Sequence, residues 1–203
     1  MIHFVTDSER HDHREWLRQY IDQHCIHRVA LGEPSLIGKA PGSRYRWQFY
    51  LRRGLFDPEF MRRAALLMLD RVQTQIGHWD WQLAGLETAS TPLLAGIPAV
   101  ALQHGIRINA FSVRKQRKEY GLFNWCEGVP NSLPVMLVDD LCNSTESLAT
   151  ALRWCMLEGQ LSILPAFYTV VSKTTGEAGD GGRLPGGMTC LSPFTLVDFD
   201  LKP

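Results

Sequence analysis

Residues 135–147, with the sequence VMLVDDLCNSTES, are the most informative stretch of the chain. An apolar run ends in two adjacent carboxylates, Asp139 and Asp140, and small polar residues then lead into a helical pattern. In open α/β sheets, ligands bind just beyond the carboxyl ends of the strands. A loop of small residues there can direct backbone N–H groups and a helix N-terminus at a phosphate. Because carboxylates beside such a loop suit sugar hydroxyls or a metal ion, the segment predicts a site for a phosphorylated sugar.

Strands and helices alternate along the rest of the chain. Apolar spacing predicts helices at 8–24, 57–76, 91–104 and 145–157, and strands at 44–51, 81–86, 106–113, 135–138 and 163–171. Loops are predicted at 32–42, 114–130 and 174–187, and the stretch 188–199 is expected to be extended. Asp57 is expected to cap the second helix and Gly159 to close the fourth. This order predicts one α/β domain with an open, mostly parallel sheet flanked by helices.

The composition is that of an ordinary globular protein. The 203 residues include 21 basic and 21 acidic side chains, so the net charge is zero. Nothing in this balance favours nucleic acid or an anionic membrane as a partner. No apolar run approaches the roughly 18 residues of a transmembrane helix, and residues 1–10 lack the pattern of a signal peptide, so we expect a cytoplasmic protein. Five scattered cysteines without a CxxC pair predict reduced thiols.

A basic run occupies residues 113–121, with the sequence VRKQRKEYG. Four cations, Arg114, Lys115, Arg117 and Lys118, fall within five residues. Such a run is commonly a solvated loop, and a nucleic-acid patch is disfavoured by the neutral overall charge. A third interpretation is a mobile loop that closes over a multiply charged leaving group and stabilises it in the transition state.

The motifs, in their order along the chain, resemble those of type I phosphoribosyltransferases, which bind 5-phosphoribosyl-1-pyrophosphate (PRPP). The similarity covers about residues 13–199 and is greatest to orotate phosphoribosyltransferases. It implies the family's fold, in which about residues 1–55 and the C-terminal segment form a small hood over a core sheet of about residues 56–175.

The resemblance assigns two stretches to PRPP. Segment 135–147 looks like the family's PRPP signature, which implies that Asp139 and Asp140 contact the ribose 2- and 3-hydroxyls. The residues that would wrap the 5-phosphate are Asn143, Ser144, Thr145, Glu146 and Ser147. Residues 85–92, GLETASTP, form a capped strand-to-helix turn in any case and resemble the family's pyrophosphate-binding loop. The donors there would be Thr88, Ala89 and Ser90, the last two through backbone N–H groups.

The basic run resembles the Arg-Lys-x-x-Lys-x-His-Gly loop of orotate phosphoribosyltransferases. The resemblance implies that Arg114, Lys115 and Lys118 stabilise the leaving pyrophosphate and are the catalytic residues. In that family the lysine matched by Lys118 reaches into the neighbouring subunit's active site, which implies a homodimer with shared sites. Tyr120 stands where the family usually has His.

Two residues are assigned to the base. Phe49 lies in a stretch similar to the family's Tyr-Phe-Asp-Leu-Arg segment, whose aromatic residues stack on the base, although an aromatic strand is equally typical of a core. Lys173 ends a strand where the family commonly has an arginine that contacts the orotate carboxylate. Gln48 and Tyr50 replace the Tyr and Asp of the family segment.

The resemblance implies an enzyme that transfers the 5-phosphoribosyl group of PRPP to a pyrimidine base, with orotate as the best candidate, and releases pyrophosphate. Mg²⁺ is the expected cofactor, held through the substrate near Asp139 and Asp140. Two alternatives stay open: a phosphoribosyltransferase with another base specificity, and a non-catalytic regulatory protein that binds PRPP or a nucleotide. Thr145, which replaces a family glycine, together with Glu146 and Tyr120, favours the second alternative.

Overall fold

A computed structural model describes residues 4–38, 42–116, 124–142, 146–173 and 187–201. The helices are α1 (Asp7–Tyr20), α2 (Arg52–Leu55), α3 (Pro58–Gln75), α4 (Thr91–Gln103) and α5 (Glu146–Arg153). The strands are β1 (Ile26–Arg28), β2 (Leu36–Ile37), β3 (Arg44–Tyr45), β4 (Trp47–Phe49), β5 (Gln82–Leu86), β6 (Asn109–Val113), β7 (Cys126–Glu127), β8 (Val135–Cys142), β9 (Ile163–Ser172), β10 (Thr189–Leu191) and β11 (Phe194–Thr195). Short π-helical turns, Ile21–Cys25 and Trp154–Glu158, extend α1 and α5, and a 3₁₀ turn, Leu196–Phe199, follows β11.

The described residues build one main sheet of seven strands in the order β7-β6-β5-β8-β9-β10, with β11 also paired to β9. All of its pairings are parallel except that of β6 with β7. This arrangement confirms the prediction of an open, mostly parallel α/β sheet. Since parallel strands all end at the same edge, the loops that leave β5, β6, β8 and β9 are brought together there.

Helices cover both faces of the sheet. Met136 and Val138 of β8 pack into a cluster with residues of α1, α3 and α4, whereas Val135 and Leu137 pack into a second cluster with residues of α5. Alternate residues of one strand therefore face two different cores, which explains why β8 is apolar at successive positions.

One of the polar residues buried in the central strands is an amide. Gln82 on β5 is fully buried, and its Nε2 donates to the Asn131 and Leu133 carbonyls at 2.8 Å each. Its Oε1 accepts from Asn109 Nδ2 at 2.9 Å and from the Asn131 N–H at 3.0 Å. Because the amide group has all these partners, its burial costs little.

Helix α3 begins where the sequence predicts. Asp57 Oδ1 accepts from the N–H groups of Glu59 and Phe60 at 3.0 and 2.9 Å, and Pro58 occupies the first turn. Helix α4 runs through Pro98, as predicted. The two helices can pack closely because Gly96 leaves room for the side chain of Met61.

The N-terminal and C-terminal segments meet above one end of the sheet. Strand β4 pairs with β1, and the ring of Phe49 contacts the ring of Phe199 at 5.6 Å between centroids. Arg28 donates to the Phe199 carbonyl, and Arg14 forms an ion pair with Asp198. Because β11, which leads into the turn that holds Phe199, pairs with Val171 and Ser172 at the end of β9, these contacts place β4 close to the carboxyl end of that strand.

Several predicted boundaries are wrong. Strand β8 continues to Cys142, four residues past the predicted end, so both carboxylates lie within the strand. The predicted strand 44–51 is two short strands with a bend at Arg46, and the predicted loop 32–42 contains β2. The stretch 188–199 is only partly extended, because it ends in a 3₁₀ turn. Gly159 does end the helical run that extends α5, as predicted, but with φ of −79°; the left-handed residue is Gln160, with φ of 51°.

Two further predictions concern the whole chain. All five cysteines are free thiols. In the part of the chain that the structure describes, no helix is both long enough and apolar enough to span a membrane. The predicted loop 174–187 lies, except for its last residue, outside the described residues.

Candidate active site

Four strand ends create the candidate site. Leu86 at the end of β5 pairs with Val113 at the end of β6, and Cys142 at the end of β8 pairs with Ser172 at the end of β9. The N–H of Lys173 donates to the Cys142 carbonyl at 2.8 Å, which continues the last pairing by one residue. The residues predicted to bind pyrophosphate, ribose and base therefore leave neighbouring strands at one edge.

The acid pair lies near the end of β8, with Asp139 buried and Asp140 half-buried. Asp139 is only 7% exposed, and its Oδ1 accepts from the N–H of Asp140 at 2.9 Å. Burial raises the pKa of Asp139, and the nearby carboxylate of Asp140 raises it further. Burial also raises the pKa of Asp140. A hydrogen bond from a hydroxyl group stabilises a poorly hydrated carboxylate more than a well-hydrated one. The acid pair is therefore suited to bind the hydroxyl groups of a ribose.

Two cations on other elements act on the pKa values of the acids. The charge of Lys115, just after β6, acts to lower the pKa of Asp139, and that of Arg52, at the start of α2, acts to lower the pKa of Asp140. Arg52 was not among the predicted site residues. The sequence nevertheless indicated Arg52, because this residue matches the arginine of the family's Tyr-Phe-Asp-Leu-Arg segment.

The predicted pyrophosphate loop, residues 87–90, packs tightly onto the sheet. The buried Ser90 hydroxyl donates to the Leu86 carbonyl at 2.7 Å. A Cβ on Gly85 would lie 2.5 Å from the Ser90 side chain and 2.6 Å from the Val138 carbonyl oxygen, so only glycine allows this approach. The Glu87–Thr88 peptide bond is cis.

The backbone of this loop offers donors. No acceptor among the described residues is bonded to the N–H groups of Thr88, Ala89 and Ser90. Thr88 is exposed and Ala89 is half-buried. Successive N–H groups before a helix N-terminus suit an anion. The hydroxyl of Ser90 is bonded to Leu86 at the end of β5 and does not cap α4, contrary to the predicted capped turn. Any contribution of Ser90 to anion binding would therefore come from its backbone, as the resemblance implies.

The predicted basic loop leaves β6 at a fixed point. The N–H of Arg114 donates to the Trp125 carbonyl at 2.8 Å, and Arg114 Nη1 forms an ion pair with Glu127 Oε1 at 2.8 Å. Arg114 thus anchors the base of the loop on β7, and it would have to leave Glu127 to contact pyrophosphate. The Lys115 side chain is exposed. Lys118 and Tyr120 lie outside the described residues.

Lys173 meets aromatic rings from the N-terminal strands. Its Nζ lies 4.5 Å from the centroid of the Trp47 ring and 5.6 Å from that of Tyr45. The ammonium group is half-buried, and burial lowers its pKa. Phe49, the predicted stacking residue, is 7% exposed and packs between Trp47 and Phe199. In this structure Phe49 supports the site from the core, whereas Trp47, which the sequence did not single out, contacts the cation.

The predicted phosphate loop is described in part. Asn143, Ser144 and Thr145 lie outside the described residues. Glu146, the first residue of α5, is exposed, and Ser147 is half-buried. The negative charge of Glu146 is favourable to the helix dipole but competes with a phosphate for the same helix end.

No protein-family model matches the sequence. Solved structures match nearly all of it. A phosphoribosyltransferase from Corynebacterium diphtheriae superposes with a TM-score of 0.72 at 19% identity, over 94% of this chain and 99% of that one. Orotate phosphoribosyltransferase from Mycobacterium tuberculosis H37Rv, in complex with Fe(III) dicitrate, gives 0.71 at 22% identity, over 93% and 99%. The same enzyme in complex with PRPP gives 0.63 at 19% identity, over 98% and 97%.

The chain has the type I phosphoribosyltransferase fold. The predicted resemblance is thereby confirmed for the fold. Within this phosphoribosyltransferase-like fold, the acid pair, the loop 87–90, Lys115 and Lys173 lie at the carboxyl edge of the sheet.

The donors for a metal ion are few. Among the described residues, no three His, Cys, Asp or Glu side chains form a cluster that could hold one. The acid pair alone could not enclose Mg²⁺, but it fits an ion whose other ligands are substrate oxygens and water, an arrangement that Mg²⁺ prefers.

Proposed function

We propose that the chain is a phosphoribosyltransferase that moves the 5-phosphoribosyl group of PRPP to a pyrimidine base, with orotate as the best candidate. One observation carries the proposal: an acid pair, a loop whose N–H groups at residues 88–90 have no acceptor among the described residues, and a half-buried lysine meet at the carboxyl edge of a phosphoribosyltransferase-like sheet. A solved enzyme of this fold, from M. tuberculosis, has been crystallised with PRPP.

The acid pair is proposed to hold the ribose. Hydroxyl groups at the 2- and 3-positions would donate to Asp139 and Asp140. Burial raises the pKa of both carboxyl groups. Hydrogen bonds from the ribose hydroxyls would favour the charged carboxylates and so offset part of this effect. The sugar would then sit with its C1 atom between the pyrophosphate loop and Lys173.

The reaction displaces pyrophosphate from C1 by a ring nitrogen of the base. The bond from C1 to the pyrophosphate oxygen breaks with its electron pair, and the bond from C1 to nitrogen forms, through a ribosyl centre with oxocarbenium character. The proton of the ring nitrogen passes to water or to the departing pyrophosphate. The protein has to position both reactants and neutralise the leaving group. The N–H groups of residues 88–90 would bind the pyrophosphate, and Lys115 and Lys118 would bring positive charge to it. Mg²⁺, when bound through the substrate, neutralises further pyrophosphate charge.

Lys173 and Trp47 are proposed to select the base. A planar ring can stack on the indole, and an anionic substituent can pair with the ammonium group, whose pKa is lowered because burial costs it hydration. Orotate carries such a carboxylate, whereas uracil does not. A lysine grips the carboxylate with a single charged centre rather than with the planar fork of arginine.

The experiment that tests the proposal is turnover of PRPP with Mg²⁺ against orotate, uracil and adenine, followed through release of pyrophosphate. We expect turnover with orotate and at least tenfold less with uracil, because only orotate pairs with Lys173. Turnover with a purine alone would assign the chain another base. Binding of PRPP without turnover would favour the regulatory alternative, which the exposed Glu146 at the phosphate end of α5 supports. Absence of PRPP binding would contradict both.

A further inference from the structure

Glu87 contacts both loops that would handle pyrophosphate. It follows β5 and begins the loop 87–90, and its N–H donates to the Val113 carbonyl at the end of β6, at 2.8 Å. Its carboxylate Oε1 accepts from the backbone N–H of Lys115 at 3.0 Å. One residue therefore ties the exit of β5 to the exit of β6 through both its main chain and its side chain.

The contact is made where the basic loop leaves the sheet. The N–H of Arg114 still bonds to Trp125 on the returning limb of the loop. At Lys115 the chain turns to the carboxylate of Glu87 instead, and the charge of Lys115 acts on Asp139 of the acid pair. The Glu87 carboxylate thus holds the backbone of Lys115, and Lys115 is the residue whose charge acts on Asp139.

An acidic side chain at the start of a pyrophosphate loop is electrostatically unfavourable, since it repels the ligand. Glu87 is half-buried, and the bond to Lys115 uses one of its carboxylate oxygens. The presence of a glutamate at position 87 is therefore better explained by its hydrogen bond to the N–H of Lys115 than by direct binding of the pyrophosphate.

We propose that Glu87 is a positioning residue that couples the loop 87–90 to the basic loop, so that binding of pyrophosphate and placement of Lys115 beside the acids depend on each other. The inference rests on the proposed function for its catalytic consequence. The hydrogen bond between Glu87 and Lys115 can be tested without any ligand.

The test compares Glu87→Ala with Glu87→Gln, because glutamine keeps the acceptor oxygen and removes only the charge. Hydrogen exchange of the ligand-free protein is measured on peptides covering residues 113–116. We expect exchange to be about tenfold faster in Glu87→Ala and close to wild type in Glu87→Gln. In turnover assays we expect Glu87→Ala to lose about tenfold in kcat and to raise KM for PRPP, with KM for the base unchanged and with Glu87→Gln restoring most of the loss.

Glu158→Ala, at an exposed position after α5, is the matched control and should leave exchange and kinetics unchanged. Equal exchange in Glu87→Ala and wild type would overturn the proposal even in an active enzyme, as would equal losses in the alanine and glutamine variants. A third outcome separates the two proposals. If Glu87→Ala exchanges faster than wild type, but the wild-type protein neither binds nor turns over PRPP, the proposed function is overturned while the role of Glu87 in holding Lys115 is established.

Discussion

Asp139 is a residue whose burial lowers the stability of the folded protein at neutral and higher pH. Its carboxyl group is buried within a strand beside a second acid, so the folded protein binds its proton more tightly than the unfolded chain does. The pKa rises from an ordinary 3.8 to about 7. As the pH rises above the pKa of Asp139 in the unfolded chain, the free energy of unfolding therefore falls. The fall ends above about pH 7, where Asp139 is ionised in both the folded and the unfolded state.

We predict that Asp139→Asn raises the free energy of unfolding by about 2 kcal/mol at pH 8 and leaves it near the wild-type value at pH 4. The variant keeps an oxygen for the N–H of Asp140 and removes the buried charge. Urea unfolding at the two pH values measures the difference, and Asp80→Asn, at an exposed position, is the control. A gain independent of pH, or a loss at pH 8, would contradict this explanation. PRPP binding should weaken in the same variant.

Lys173 gives the second prediction at this scale. We expect Lys173→Ala to raise KM for orotate by about tenfold or more, because the carboxylate of the base loses its partner, and to leave KM for PRPP unchanged. Lys173→Arg should retain orotate binding, since it keeps the charge and adds a second donor. Steady-state kinetics with both substrates varied provides the measurement. Equal effects of the alanine variant on orotate and uracil would show that Lys173 acts on packing and not on the carboxylate.

At the scale of elements, the loop 87–90 depends on the absence of a side chain at Gly85. A methyl group there would meet both the Ser90 side chain and the Val138 carbonyl, and the backbone of β8 cannot yield. We predict that Gly85→Ala displaces the loop and raises KM for PRPP by about tenfold or more while also lowering Tm.

Gly96→Ala is the matched control for this change. The three atoms nearest to its added methyl group all belong to the flexible side chain of Met61, between α3 and α4. It should lower Tm without changing KM for PRPP. If both variants shift Tm alike and neither changes KM, the loop does not bind pyrophosphate.

The sequence predicted the elements whose signals are local. Helix α3 was predicted correctly because Asp57 and Pro58 mark its start and its apolar residues recur at helical spacing. Strand β8 was predicted too short, because two aspartates normally end a strand. Here β9 continues alongside β8, and Asp139 pairs with Thr169 although its side chain is acidic. The extension depends on a neighbour that lies far along the chain.

The parts of the site that were not predicted depend on contacts between distant residues. Arg114 was assigned to pyrophosphate, but its partner is Glu127 on β7, a strand of two residues that exists only through pairing with β6. Trp47 lies in the predicted aromatic strand but was not assigned to the base, and its contact with Lys173 joins positions more than 120 residues apart in sequence. Arg52 matches the arginine of the family segment, but its effect on the pKa of Asp140 joins positions 88 residues apart, which the sequence alone does not bring together.

At the scale of the whole molecule, the proposed role of Lys118 requires two chains. If this lysine serves the neighbouring subunit's site, Lys118→Ala and Asp140→Asn should each be inactive as a homodimer. Mixed and re-equilibrated, they should form heterodimers with one intact site. At equal mixing we predict recovery of about a quarter of wild-type activity, since half of the dimers are mixed and half of their sites are complete.

The mixture is assayed against each variant alone, and analytical ultracentrifugation shows whether dimers are present. A mixture of Lys118→Ala with itself under the same treatment is the control for refolding losses. Activity that does not exceed the sum of the two variants would mean that Lys118 acts within its own chain or not at all.

The most direct test of the proposed function is a crystal structure of the protein soaked with PRPP, Mg²⁺ and orotate. The proposal predicts the ribose hydroxyls on Asp139 and Asp140, the pyrophosphate on the N–H groups of residues 88–90, and the orotate ring beside Trp47 with its carboxylate at Lys173. PRPP bound away from the acid pair, or crystals that take up neither substrate at saturating concentration, would contradict it.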